Sequence, residues 1–188
     1  MTQVATKTTH FDIEGSFLRP NELKEARSAF NKNEIDQAQL TAVENKLIQD
    51  LVQKEIQHGL KIVTDGEFRR SYWHLDTFWG FDGIKHTHQE HGYIFHDVET
   101  RNDSAQVEGK IKFNPNHPDL LAFKFLQAQV ADNEDVIARQ SIPSPAQCYA
   151  ELVRGPENIA ALKAVYGDDL DAVIHDLGLA YHDLILAL

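Results

Sequence analysis

Thr64-Asp65-Gly66-Glu67-Phe68-Arg69-Arg70 sets two carboxylates and two guanidinium groups directly behind the apolar pair Ile62-Val63. Carboxylates hold an ammonium group, and an arginine grips a carboxylate with two parallel hydrogen bonds. An amino-acid ligand needs both. An internal salt-bridge network that ties down a long loop would use the same residue types, and residue type alone does not choose between the two. Other groups are weaker candidates. His86, His88, His91 and His96 have irregular spacing and no accompanying cysteine, so they read as solvated loop histidines rather than metal ligands. Tyr72, Trp73, Phe78, Trp79 and Phe81 could stack a flat heterocycle, but such a cluster is more often loop packing. Cys148, the single cysteine, reads as a small buried hydrophobe.

The elements that must position these residues follow from periodicity. Residues 11–14 alternate up to Gly15 and predict a short strand, with residues 1–10 as a loose arm. Pro20 opens a helix through Leu23, Ala26 and Phe30. Residues 35–58 carry Leu40, Val43, Leu47 and Leu51 at helical spacing, closed by Gly59. Residues 60–64 predict a second strand ending at Asp65-Gly66. Residues 66–92 read as a long loop with short helical pieces. Residues 93–98 and 106–113 predict a hairpin across Asn102-Asp103, within an insertion spanning 84–117. Helix from Pro118, strand over 136–142 ending at Pro143-Ser144-Pro145, short helix over 147–153, and helix from 158 to 188 with a break near Gly167 complete the chain.

Strand–helix alternation of this kind implies a parallel sheet with crossover helices. Ligand sites in such folds lie at the C-terminal strand ends, so Gly15-Ser16, Asp65-Gly66-Glu67 and Pro143-Ser144-Pro145 are expected to converge. An open nucleotide-binding sheet is disfavoured, because Gly15 to Pro20 contains one glycine rather than a phosphate-binding run. A complete barrel needs eight strands and typically about 250 residues. The expectation is therefore an α/β chain, a single incomplete domain over 1–188. Its apolar last helix suggests that the fold continues beyond it.

Composition excludes some classes. The net charge of −11 argues against a nucleic-acid partner. No apolar run approaches the roughly 18 residues of a membrane helix, and no apolar leader follows Met1. The expected location is cytoplasmic. One cysteine cannot make a disulfide framework or a thiolate-rich zinc site alone.

Gly15-Ser16-Phe17-Leu18-Arg19-Pro20 with Leu23-Lys24-Glu25-Ala26-Arg27, then Gly59-Leu60 through Thr64–Arg70, then Ile142-Pro143-Ser144-Pro145, resemble, in that order, the catalytic domain of the cobalamin-independent methionine synthase family, above all its short stand-alone relatives. The resemblance implies the N-terminal portion of a (β/α)8 TIM barrel with a β-hairpin insertion. It implies a methyltransferase of methionine biosynthesis that moves a methyl group from 5-methyltetrahydrofolate, usually polyglutamylated, to homocysteine. Ser16 would help hold the amino-acid part of homocysteine, and Glu67 its amino group. Asp65 stands where the classical enzymes usually have a histidine. Arg70 and Ser144 match motif positions. In the complete family enzyme a zinc ion, held by a His, two Cys and a Glu of later strands, binds the thiol. Nothing in this chain corresponds to those ligands. The chain alone is therefore expected to be inactive, and to be a homo-oligomer or to lack a C-terminal half. The other readings are a non-catalytic small-molecule-binding module and a self-associating barrel fragment.

Overall fold

The structure, a computed structural model, describes residues 13–188. The N-terminal arm and the first half of the strand expected over 11–14 lie outside the described residues; Ile13 and Glu14 are not in a strand. The fold is mixed α/β and divides into two compact units, here described separately. The first holds residues 13–69 with Phe123–Ser141, the second Arg70–Ala122 with Ile142–Leu188.

In the first unit, α1 (Asn21–Asn31) follows Pro20, which serves as its N-cap residue. The long helix α2 (Gln37–Gln57) starts one residue later than Asp36 because Asp36 and Gln39 cap each other reciprocally. The Asp36 carboxylate accepts the Gln39 N–H at 2.8 Å, and the Gln39 amide oxygen accepts the Asp36 N–H at 2.9 Å. β1 (Ile62–Val63) pairs with the strand Ile137–Ala138 in parallel register, Ile62 opposite Ile137. This is the parallel pairing that the alternation predicts, though each strand is only two residues long. Leu23, Ile48, Val52 and Val63 are fully buried together with Phe68. Each such side chain contributes about 1.5–3 kcal/mol on leaving water.

The second unit differs from expectation between residues 66 and 113. It begins with a short helix, Leu75–Trp79, but residues 82–88 are a strand, not loop. That strand, β2 (Asp82–His88), is the antiparallel partner of the ten-residue strand Asp103–Lys112. Between them, β3 (Ile94–Phe95) and β4 (Val98–Glu99) form a hairpin of their own. The expected partnership of 93–98 with 106–113 is therefore wrong: the long strand pairs one hairpin further out. With the earlier ranges, the strands are β1, β2, β3, β4, β5 (Asp103–Lys112) and β6 (Ile137–Ala138), and the helices after α2 are α3 (Leu75–Trp79), α4 (Pro118–Val130), α5 (Pro145–Leu152), α6 (Pro156–Tyr166) and α7 (Leu170–Ala187). The break near Gly167 separates α6 from α7 as expected.

Phe78, Phe81, Ile111, Leu152 and Leu184 form the centre of this unit's core. A polar knot accompanies it. The buried Glu151 carboxylate accepts from Ser104 Oγ and Tyr93 Oη, both at 2.8 Å, and Asn158 donates to the Ala105 and Glu151 carbonyls. No described helix is long and apolar enough to cross a membrane.

The β2–β5 register shifts just after Asp82, where Gly83 has φ +86° and its backbone lies against Lys110. A Cβ there would stand 2.4 Å from the Lys110 carbonyl oxygen. Gly83→Ala is expected to cost at least about 2 kcal/mol in urea unfolding, through strain and clash together. Gly109→Ala, whose Cβ would meet nothing nearer than 3.7 Å, serves as the control. Equal stabilities of the two variants would contradict this account of the register shift.

Candidate functional site

Local bonds from side chains to backbone shape the loop after β1. Thr64 Oγ1 accepts the Gly66 N–H at 3.1 Å, and Asp65 Oδ1 accepts the Glu67 N–H at 2.9 Å. These local bonds turn the chain sharply and place both Gly66 (φ +64°) and Glu67 (φ +56°) in the left-handed region. Glycine adopts that conformation freely and is required for a second reason: a Cβ on residue 66 would lie 2.5 Å from Leu51 Cδ2. Glu67 has no such freedom. A non-glycine residue held there costs of order 1 kcal/mol or more and marks a place where position matters more than stability.

Segments distant in sequence meet at this loop. Phe17 donates its N–H to the Gly66 carbonyl at 3.2 Å, and the Arg19 guanidinium donates to the Glu67 carbonyl at 3.1 Å. Beyond β6, Ser141 Oγ donates to Glu67 Oε1 at 3.1 Å, and Arg139 Nη2 reaches the Ile13 carbonyl. Residues 13–19, 64–68 and 139–141 thus meet within this unit, whereas Pro143-Ser144-Pro145, the third segment expected to converge, belongs to the second unit. Glu67 is largely buried, and Ser16, next to Phe17 in the chain, is exposed. Ser141, Arg19 and Arg139 escaped the sequence reading. The only available signal was proximity to a strand end.

The two arginines of the loop resolve the ambiguity between ligand clamp and internal network. Arg69 pairs with Glu44 on α2 at 3.3 Å and lies over the Phe125 ring at 4.9 Å. Glu44 also takes Arg27 of α1 at 3.4 Å. Burial pushes the Glu44 carboxyl above its usual range, and the charges of Arg27 and Arg69 only partly pull it back. Arg70, in the second unit, donates to Asp119 at 2.7 Å, whose other oxygen accepts from Thr77 Oγ1 at 2.6 Å. Both arginines therefore anchor structure. Ser144 is in the second unit as well, where its Oγ accepts the Gln147 N–H at 3.2 Å and caps α5.

Cys148 is fully buried in α5, and burial pushes its thiol well above the ordinary range. This agrees with a packing role. Of the aromatic cluster, Phe78 and Phe81 are core, Tyr72 and Trp79 pack against it, and Trp73 is exposed.

No protein-family model matches the sequence. Two uncharacterised Bacillus subtilis (strain 168) proteins, YxjH and YxjG, are 37% and 35% identical over 176 residues, which is 94% of this chain and 44% of each of theirs. A crystal structure of a Listeria monocytogenes protein, provisionally named a vitamin-B12-independent methionine synthase, superposes with a TM-score of 0.59 at 33% identity, over 87% of this chain and 47% of that one. The chain is similar to part of a methionine-synthase-like protein. It spans under half the length of each of these relatives. The likeness supports a methyltransferase-like resemblance.

Beneath the loop, Glu55 of α2 accepts the Thr64 N–H with both carboxylate oxygens, at 3.2 and 3.3 Å. Burial pushes its carboxyl up to about 7, although bonds from the Thr64 backbone and side chain pull it down and the Asp65 charge adds to the rise. A carboxyl raised on folding binds more protons in the folded state than in the unfolded one. Its stabilising contribution is full below about pH 4.5 and is lost as pH rises through about 7. Glu55→Gln keeps the acceptor for Thr64 and removes this loss. Between pH 5 and 8 the wild type should lose on the order of 1–3 kcal/mol relative to the variant in parallel urea titrations. Identical pH slopes for the two proteins would rule the assignment out.

Proposed function

We propose that the chain forms the amino-acid-binding part of a methyltransferase of the cobalamin-independent methionine synthase type, with homocysteine as the amino acid and a methyltetrahydrofolate as methyl donor. The observation that carries this reading is Glu67: a carboxylate in a strained left-handed conformation, oriented by Ser141 and backed by the segment that carries Ser16. Glu67 receives the ammonium group of the substrate, and the exposed Ser16 hydroxyl hydrogen-bonds to its amino-acid end. Asp65 acts as a positioning residue through the Glu67 N–H. In this proposal the unit belongs to a (β/α)8 barrel.

The zinc chemistry of the family does not fit the residues of this chain. Binding and acidifying the homocysteine thiol takes two cysteine thiolates in that family, whereas this chain has one cysteine. That cysteine is enclosed in apolar packing that disfavours its thiolate. The residues here bind and orient the amino acid, and the methyl-transfer step requires groups from outside this sequence.

Titration calorimetry with homocysteine and with methionine tests the reading. Glu67→Gln keeps the shape and removes the charge that pairs with the ammonium. It should weaken binding at least ten-fold, about 1.4 kcal/mol or more, with unchanged circular dichroism. Unaltered affinity in the variant, or no binding by wild type, would remove Glu67 from the site.

A second reading, self-association, is favoured by a different observation. On α7, Ile174 (55% exposed), Leu179 (49%), Ile185 (57%) and Leu186 (73%) present apolar side chains to solvent. Apolar surface of this kind is covered in most folded assemblies. Light scattering at micromolar concentration should show a species larger than 21.3 kDa, shifted toward monomer by Leu186→Glu with Ile185→Lys. A monomer at all concentrations would exclude this reading.

A further inference from the structure

β2 and β5 bring together three side chains that the function above does not use. His86 and His88 alternate along β2, so both rings project from one side of the strand. Across the ladder, Asp103 stands directly opposite His88, and His86 opposes Ala105. Both imidazoles converge on one carboxylate oxygen: Asp103 Oδ1 lies 2.5 Å from His86 Nε2 and 3.5 Å from His88 Nε2. Among the described residues these three form a group whose ligand atoms all fall within 4.8 Å of one another.

Groups that are not themselves ligands hold the three in place. Tyr72 Oη donates to the other oxygen, Asp103 Oδ2, at 2.5 Å, which fixes the rotation of the carboxylate and turns Oδ1 toward the imidazoles. Trp79 stacks against His86 with ring centroids 4.0 Å apart, and Trp79 is itself anchored by its indole N–H to the Ser104 carbonyl at 3.1 Å. The two imidazole rings lie 4.9 Å apart. Asp103 is mostly buried while the histidine rings reach solvent. Burial raises the Asp103 carboxyl, but the bonds from Tyr72 and His86 and the charge of Arg101 outweigh it and hold the group below its ordinary range, so it is anionic at neutral pH. One proton can bridge Asp103 to only one imidazole at a time. A divalent cation satisfies all three donors together.

We propose that His86, His88 and Asp103 form a binding site for one divalent transition-metal ion of the zinc class. Two imidazole nitrogens and one carboxylate oxygen suit borderline ions of this kind, and leave at least one coordination position open to solvent. Zinc-to-nitrogen and zinc-to-oxygen bonds of about 2.0–2.2 Å place tetrahedral ligand atoms roughly 3.3 Å apart. The His88 separation already matches this, and the His86 separation must open by about 0.8 Å. Tyr72 and Trp79 supply the outer support that metal sites use to orient their ligands. Arg101, whose Nε lies 3.7 Å from Asp103 Oδ2, opposes the cation electrostatically. This is not the ligand set the family resemblance implies: it contains no thiolate and is built wholly from residues of the second unit.

The test uses the full chain stripped with chelator and titrated with Zn2+ by calorimetry, and with Co2+ by visible absorption. The expected result is one Zn2+ per chain at micromolar Kd and a Co2+ spectrum of four- or five-coordinate intensity. His86→Ala and His88→Ala should each weaken binding at least ten-fold and abolish that spectrum. Both side chains are exposed, so the variants should keep the wild-type circular dichroism. His91→Ala, a neighbouring exposed histidine outside the cluster, should stay within two-fold of wild type. No saturable binding below 100 µM, roughly −5.5 kcal/mol, or equal Kd values for wild type and His86→Ala, would overturn the proposal and leave the group a proton-sharing hydrogen bond.

Discussion

A strand pair two residues long cannot hold a loop by itself, and the first unit is organised around that constraint. β1 and β6 exchange only the few ladder bonds around Ile62 and Ile137. The loop that follows β1 is therefore held from below and from the sides. Glu55 takes the Thr64 N–H, Arg27 and Arg69 share the buried Glu44, and Arg19 holds the Glu67 carbonyl. Leaving a buried charge without its partner costs about 3–5 kcal/mol. The Glu44 pairs therefore act as a clamp whose loss would release α1, α2 and the loop together. Removing the clamp would also free Glu67 to relax out of its left-handed backbone conformation.

Charge is used in two different ways along seven consecutive residues. Arg69 and Arg70 pair with Glu44 and Asp119. Asp65 is spent on the turn. Glu67 Oε1 accepts from a neutral hydroxyl, Ser141 Oγ. Asp103 is steered by Tyr72 toward two imidazoles, with Arg101 Nε 3.7 Å from its other oxygen. The second unit has its own clamp, the Glu151 knot, in which Ser104, Tyr93, Arg154 and Asn158 tie β5 and the hairpin region to α5 and α6.

The helices, the parallel β1–β6 pair and the loop Thr64–Arg70 were legible from the chain alone, since each follows from local rules. Pro20 opens α1, Gly59 closes α2, and Gly167 separates α6 from α7. Glu67 was singled out through its motif. Tertiary structure decided everything that depends on a partner far away. β2 escaped notice because Asp82 to His88 is polar and unpatterned, and its strand character comes from β5, whose register Gly83 sets. The destinations of Arg69 and Arg70 lie 25 and 49 residues distant, and Ser141 is 74 residues from Glu67. Capping and periodicity act over a few residues, where the sequence carries the whole interaction. An ion pair or a metal-ligand geometry exists only after packing has brought its two ends together, so residue type can name the candidates while the fold chooses among them.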